Sequence, residues 1–167
     1  MKNLNVMLMF FALIAFASCG TEQKESQANT TTTVETAENT TASPKVLLEQ
    51  YFVLKDALVQ TNAQNAQLAA APLEASLKTA GLEEAAQVAN KIATATDVEL
   101  QRVAFEDLSK AVYDFTKANP TGISIYQQFC PMAFENKGAF WLAAEKEVNN
   151  PYFGDKMLHC GYVKEEY

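Results

Sequence analysis

The sequence predicts a mainly α protein, an antiparallel helical bundle followed by a C-terminal irregular segment that contains short β-strands. Two observations support this prediction. Residues 45–119 are rich in Ala, Leu, Gln, Glu and Lys and contain one Gly and one Pro, a composition that favours helices. From Gly122 onward the chain holds four of its six glycines and nine of its seventeen aromatic residues. This second composition favours turns and short extended segments packed against a helical core.

Four helices are expected between residues 44 and 119. Ser43 followed by Pro44, then Asn62 and Asp97, are the start signals of the first, second and fourth helices. The third helix is expected over residues 82–95. Within each helix, apolar residues recur every three or four positions, which is the spacing of one buried helical face. The expected core positions are Leu47, Tyr51, Leu54, Leu58, Ala66, Ala69, Ala70, Leu73, Leu77, Ala85, Val88, Ala89, Ile92, Leu100, Ala104, Leu108, Val112 and Phe115.

Two residues should shape the second helix. Pro72 lies inside it and is expected to bend or break it, because proline lacks the N–H of the helical hydrogen bond. Gly81 is expected to end it.

The C-terminal part is expected to contain several short elements. Residues 123–129 have the alternation of an extended strand, and residues 138–142 suit a second short strand or the opening of a helix. Residues 143–149 are expected to be helical, and residues 157–163 extended.

The first residues have the features of a secretory signal. Lys2 precedes an uninterrupted apolar stretch, residues 6–16, which is too short for a membrane span. The residues before Cys19 resemble a bacterial lipobox, although Phe16 and Ser18 depart from its commonest form. We expect residues 1–18 to be a lipoprotein signal peptide and Cys19 to be lipidated. Ordinary signal-peptide cleavage with an unmodified Cys19 is the alternative.

Residues 19–44 are expected to form the lipidated cysteine and a disordered Thr-rich tether, ahead of a domain at 45–167. The stretch contains one large apolar residue, Val34, and therefore cannot bury enough surface to offset its ordering entropy. By its resemblance to sorting signals, Gly20 favours the outer membrane. The expected location is the cell envelope, at the periplasmic side of the outer membrane or the cell surface.

Charge and composition exclude several classes of function. A formal charge of −7 argues against nucleic-acid binding, which needs a basic surface. The chain has one His, which neighbours Cys160, and adjacent side chains rarely point at each other as a nucleophile and base must. We therefore expect a protein that is not an enzyme and has no catalytic residues.

Two sulfur-rich clusters are the candidate metal site. One contains Cys130 and Met132, and the other contains Met157 and Cys160. Apart from Cys19 and the methionines of residues 1–18, these are all the Cys and Met residues of the chain. Thiolate and thioether sulfurs are soft ligands that favour Cu(I), so the four residues could hold this ion.

A structural disulfide between Cys130 and Cys160 is the alternative. Secreted domains commonly pair their cysteines, and a loop of this length would contribute roughly 3–4 kcal/mol in the chain-entropy model. The methionines would then be core residues. The two states can alternate, since an oxidised pair cannot bind metal.

Residues 45–167 resemble a bacterial domain of unknown function, DUF3347. The stretches that carry the resemblance are Tyr51–Val59, Glu99–Arg102, Cys130–Ala133, Gly138–Leu142, Asn150–Leu158 and Cys160–Gly161. The resemblance implies a periplasmic lipoprotein and a metal-efflux adaptor protein as a candidate partner, since members also occur fused to such adaptors. It implies copper or another heavy metal at Cys130, Met132, Met157 and Cys160. His159 is not part of the common pattern.

Overall fold

Four long helices and a small sheet make up residues 43–167, the part of the chain described by the computed structural model. The proposed signal peptide, Cys19 and all of the tether up to residue 42 lie outside the described residues. The elements are α1 Pro44–Val59, α2 Ala63–Thr79, α3 Glu83–Thr94, α4 Val98–Ala118, β1 Tyr126–Cys130, α5 Ala133–Asn136, β2 Ala139–Ala143, a 3-10 helix Gly154–Lys156 and β3 Tyr162–Glu166. This architecture confirms the predicted fold class.

Polar side chains start three of the helices where the sequence predicts. Ser43, Asn62 and Asp97 each accept a hydrogen bond from a backbone N–H of the first turn, at 3.3, 2.9 and 2.7 Å. These bonds satisfy donors that have no partner within the helix. Gly81, at φ +76°, follows α2 in the left-handed conformation that glycine adopts without strain.

The helices share one apolar core. Consecutive helices are joined by three residues each, so neighbouring helices pack side by side, and α4 also contacts α1. Most of the expected core positions are buried, among them Leu47, Leu73 and Leu108. Leu100 was expected in the core and is instead 63% exposed, because it lies on the solvent side of α4. None of the helices within residues 43–167 is long and apolar enough to cross a membrane.

The α2 helix runs unbroken through Pro72, so the prediction of a break is wrong. Both Pro72 and Leu68, one turn earlier, are exposed. Because Pro72 has no N–H, the Leu68 carbonyl lacks its usual helical partner. This carbonyl lies on the exposed side of α2, where water can hydrate it.

The three strands form an antiparallel sheet in the order β2-β1-β3. Gln128 of β1 pairs with Trp141 of β2, and Phe129 pairs with Tyr162 of β3. The predicted strands at 123–129 and 138–142 correspond to β1 and β2. In the segment expected to be extended, residues 157–161 form a turn and residues 162–163 begin β3.

The helix expected over residues 143–149 is absent. Ala143 is the last residue of β2, and the chain after it is irregular. The buried Gln128 amide donates hydrogen bonds to the backbone carbonyls of Glu145 and Glu147, at 2.8 and 3.0 Å. The Glu145 carboxylate also pairs with the buried Lys55 of α1. These tertiary contacts use groups that a local helix would need, and they outweigh helix propensity.

Candidate functional site

Two cysteines that are thirty positions apart in the sequence meet at one end of the sheet. The Sγ atoms of Cys130 and Cys160 are 3.0 Å apart, and both cysteines are free thiols. Cys130 is the last residue of β1 and is fully buried. Cys160 lies two residues before β3 and is half-buried. Pairing of β1 with β3 therefore brings the two thiols together, as both predictions for these cysteines require.

Close packing fixes the chain beside Cys160. Gly161 has φ +147°, and a Cβ atom at this position would lie 2.9 Å from the Phe129 carbonyl oxygen and 3.1 Å from the Trp141 ring. Both distances are tighter than normal carbon contacts. A glycine is therefore needed for β3 to approach β1 next to the cysteine pair.

Asn150 holds the loop that carries Cys160. Its side chain is fully buried, and its Nδ2 donates to the Cys160 carbonyl at 2.7 Å. Its Oδ1 accepts from the Tyr152 N–H at 2.8 Å, and its backbone N–H donates to the Leu158 carbonyl at 2.7 Å. The sequence analysis did not identify Asn150 as a site residue. The Asn-Asn-Pro sequence indicates a turn but not that the amide is buried.

Replacing Gly161 by Ala should lower the free energy of unfolding by about 1–3 kcal/mol, because the new methyl group overpacks against Phe129 and Trp141. Urea unfolding followed by Trp141 fluorescence measures this loss. Gly122→Ala is the matched control, since Gly122 also has positive φ but nothing lies near its missing Cβ. Equal losses in the two variants would contradict a packing role for Gly161.

Contact with Cys130 changes the protonation of Cys160. The hydrogen bond with Cys130, with burial and the charge of the Cys130 thiolate as further causes, raises the pKa of the Cys160 thiol to about 11. At neutral pH Cys160 is therefore protonated and is a poor nucleophile. This protonation state argues against a role for Cys160 as an activated catalytic thiol.

The predicted sulfur ligands other than the cysteines lie nearer the surface. Met132 directly precedes α5 and is 46% exposed, and Met157 follows the 3-10 helix and is half-buried. The Met157 carbonyl accepts from the Cys160 N–H at 3.0 Å, so the Met-x-x-Cys step is a turn and not the extended segment expected there. His159 is exposed, and its Nδ1 lies 2.8 Å from the Val148 carbonyl oxygen.

The segment after Met132 has an unusual backbone. Phe134, Glu135 and Asn136 of α5 have φ values of 50°, 58° and 67°, which are left-handed conformations that cost roughly 1–2 kcal/mol each. This turn reverses the chain from β1 into β2 immediately beyond the first sulfur cluster. It places Met132 at a fixed, solvent-facing corner.

The donor set limits which ions the site suits. Within residues 43–167, no three side chains among His, Cys, Asp and Glu come together in an arrangement that could hold a metal ion. Zinc sites in proteins need three or four such ligands, and hard ions need several oxygens. The two cysteine sulfurs suit a soft ion.

Comparison with known proteins gives one relationship. Residues 47–122 match the model of a family described as a protein of unknown function, DUF3347. This segment is similar to the DUF3347 family. No curated protein and no solved structure gives a significant match to the chain.

The DUF3347 match covers α1 to α4 and ends before β1. It confirms the family resemblance on its helical stretches, Tyr51–Val59 and Glu99–Arg102. The stretches from Cys130 to Gly161 lie beyond the matched residues. The family match alone therefore assigns no role to the cysteine pair.

Proposed function

We propose that this protein binds a soft metal ion, Cu(I), as cargo through the thiolates of Cys130 and Cys160. Met132 and Met157 supply thioether sulfur beside them. The observation that carries the proposal is the 3.0 Å approach of two free thiols from distant parts of the chain. The protein acts as a buffer or chaperone for the ion and is not an enzyme.

The separation of the two sulfurs is compatible with metal capture after a small movement. Metal–thiolate bonds of about 2.3 Å, the length in zinc sites, place two sulfurs roughly 3.8 Å apart at a tetrahedral angle. The two sulfurs must therefore move apart by roughly 0.8 Å from their observed separation of 3.0 Å. Cys130 is fixed in a strand, but Cys160 lies in a loop and is half-buried, so the movement can occur there.

Exposure of the ligands supports exchange of the ion rather than permanent storage. Cys130 is fully buried, Cys160 and Met157 are half-buried, and Met132 is exposed. An ion could enter at Met132 or Met157 and pass to the two cysteines. A structural metal would instead be enclosed by its ligands on all sides.

Location and partner are part of the same proposal. The protein is a lipoprotein of the cell envelope, attached through Cys19 and held away from the membrane by residues 20–44. There it would hand the ion to a metal-efflux adaptor protein. Metabolic labelling with a fatty acid tests the anchor, and a Cys19→Ser variant should lose the label.

Replacing both Cys130 and Cys160 by Ser should weaken Cu(I) binding by about 100-fold or more, because both thiolates are lost. The measurement is competition with a chromophoric Cu(I) chelator, on protein purified and kept without oxygen. Met132→Leu and Met157→Leu should each weaken binding by a smaller factor. His159→Ala is the control and should leave the affinity unchanged.

The same titration has an expected pH dependence. Since the raised pKa keeps Cys160 protonated at neutral pH, metal binding must release at least that proton. The apparent affinity should therefore rise about tenfold per pH unit between pH 6 and 8 for each proton released. An affinity that is independent of pH would contradict binding through the thiolates.

A non-catalytic structural or interaction module with a Cys130–Cys160 disulfide is the second candidate function. The full burial of Cys130 and its short distance to Cys160 favour it. A disulfide needs the sulfurs at about 2.0 Å, a movement of about 1 Å in the opposite direction.

The double Cys→Ser variant separates the two candidates. A structural disulfide predicts no titratable thiol at these positions in native protein and a loss of roughly 3–4 kcal/mol of stability on substitution. Metal binding predicts two titratable thiols, stoichiometric Cu(I) uptake and only modest destabilisation. Absence of Cu(I) uptake by the reduced protein would refute the first candidate.

A further inference from the structure

An apolar groove runs between α1 and α2, on residues that the cysteine site does not use. It encloses about 460 Å³. Val53 of α1 and Leu68 of α2 line it and are 60% and 68% exposed, which are high values for large apolar side chains. Burying such side chains would be favourable by roughly 25 cal/mol per Å² of apolar surface removed from water.

The groove has the geometry of a helix-packing seam. On α1 its lining includes Gln50, Val53 and Ala57, which are separated by three and four positions. On α2 it includes Leu68 and Pro72, which are four positions apart. Two neighbouring helices thus each present one face with helical spacing to the same groove. This is the arrangement into which an amphipathic helix lays its apolar face.

Beside the amide side chains of Gln60 and Asn65, the groove contains hydrogen-bond acceptors that lack donors. The Oε1 of Gln50 is buried and has no hydrogen-bond partner. The Leu68 carbonyl lacks a helical donor because Pro72 has no N–H. Among the lining residues, Asp56 carries the one charge, a carboxylate that also pairs with Lys55 at 2.7 Å. Because the one charge of the lining is negative and the Leu68 carbonyl lacks a donor, an occupant with donors and positive charge complements the groove.

We infer that this groove docks a cationic amphipathic helix of a partner protein, with apolar side chains between Val53 and Leu68 and Lys or Arg toward Asp56. A second copy of this chain fits less well, since it has a net charge of −7. The segment before α1 also fits poorly, since residues 20–43 contain a single large apolar residue, Val34. This inference does not depend on metal binding.

The test uses two synthetic peptides of about fourteen residues, or four helical turns, with Leu along one face. One carries Lys on the remaining positions and the other carries Glu. Titration into the purified chain, followed by methyl NMR, should show saturable binding of the Lys peptide with shifts at Val53 and Leu68. The Glu peptide should not bind.

Leu68→Asp should weaken binding of the Lys peptide by about tenfold or more, because the apolar contact is lost. Leu100→Asp is the matched control, since Leu100 is similarly exposed but lies outside this groove on α4, and it adds the same charge. Attraction to the acidic surface alone would strengthen binding in both variants, which would overturn the inference.

Pro72→Ala is the second variant, since it restores the N–H that can occupy the Leu68 carbonyl while keeping the helix. It should weaken binding by a few-fold, and circular dichroism should show an intact fold. Failure of the Lys peptide to shift Val53 or Leu68 would refute the docking site. Sedimentation of the free chain as a dimer that Leu68→Asp dissociates would overturn it in favour of a second copy.

Discussion

Replacing Arg102 by Leu is expected to lower the free energy of unfolding by about 2–4 kcal/mol. The Arg102 side chain is 1% exposed and lies at the junction of α1, α4 and the loop before the 3-10 helix. Its guanidinium donates to the Pro151 carbonyl at 2.8 Å and to the Leu58 carbonyl at 3.2 Å. It also donates to Thr61 Oγ1 at 3.0 Å.

The size of the expected loss follows from what remains after the substitution. An apolar residue can replace a buried ion pair without loss when both charges are removed. Here two of the four acceptors are backbone carbonyls, which no side-chain substitution removes. The Leu58 carbonyl keeps its bond from the Thr61 N–H, but the Pro151 carbonyl would be left buried and unpaired. The exposed Glu99, which also pairs with Arg102 at 2.8 Å, can be hydrated instead.

Urea unfolding followed by Trp141 fluorescence measures the effect, with two comparison variants. Arg102→Lys keeps the charge but cannot reach acceptors on three sides, so it should lose most of the same stability. Lys110→Leu, on the same helix but half exposed, should change stability by less than about 0.5 kcal/mol. A free energy of unfolding for Arg102→Leu within about 1 kcal/mol of that of the unmodified chain would contradict the role assigned to this side chain.

Arg102 also shows what sequence patterns leave undetermined about the fold. Apolar spacing and the caps at Ser43, Asn62 and Asp97 predict the four helices because these signals act over a few residues. The burial of Arg102 depends on carbonyls 44 and 49 residues away. Local spacing contains no information about such contacts. Leu100 shows the opposite case of an apolar residue that is exposed. It fits the helical spacing of apolar residues on α4 but faces solvent.

The candidate site was predictable to a similar extent. The scarcity of sulfur residues singles out Cys130 and Cys160, and the sheet brings them together. The sequence gives no sign that Asn150 is buried and holds the Cys160 loop, because an Asn-Asn-Pro step is equally typical of an exposed turn. It also cannot distinguish the exposed Met132 from the fully buried Cys130 two residues earlier.

Raising the pH above 10 is expected to destabilise the protein steeply because of two buried tyrosines. Burial raises the pKa of Tyr51 and of Tyr152 above the usual value, since each hydroxyl would have to ionise inside the core. The Tyr51 hydroxyl contacts Ser109 Oγ at 2.7 Å and accepts from the Leu142 N–H at 3.1 Å. The Tyr152 hydroxyl donates to the Phe140 carbonyl at 2.6 Å.

The sign of the effect follows from proton binding. In the unfolded chain each tyrosine ionises near pH 10, whereas in the folded protein Tyr51 and Tyr152 keep their protons to higher pH. The folded state therefore binds more protons above pH 10. The stabilisation is fully present below that pH and is lost by about 1.4 kcal/mol per pH unit for each tyrosine, up to its folded pKa.

Urea unfolding from pH 9 to pH 11.5, followed by circular dichroism, gives the slope of stability against pH. Tyr51→Phe should make this slope shallower by about 1.4 kcal/mol per pH unit, whatever stability the lost hydrogen bonds cost at neutral pH. Tyr126→Phe is the matched control. The pKa of Tyr126 is raised by its hydrogen bond with Glu166, but solvent screens that pair, so the slope should change much less.

An equal slope in Tyr51→Phe and the unmodified chain would mean that Tyr51 ionises in the folded state as readily as in water. The contacts that Tyr51 of α1 makes with α4 and β2 would then have to open well before global unfolding.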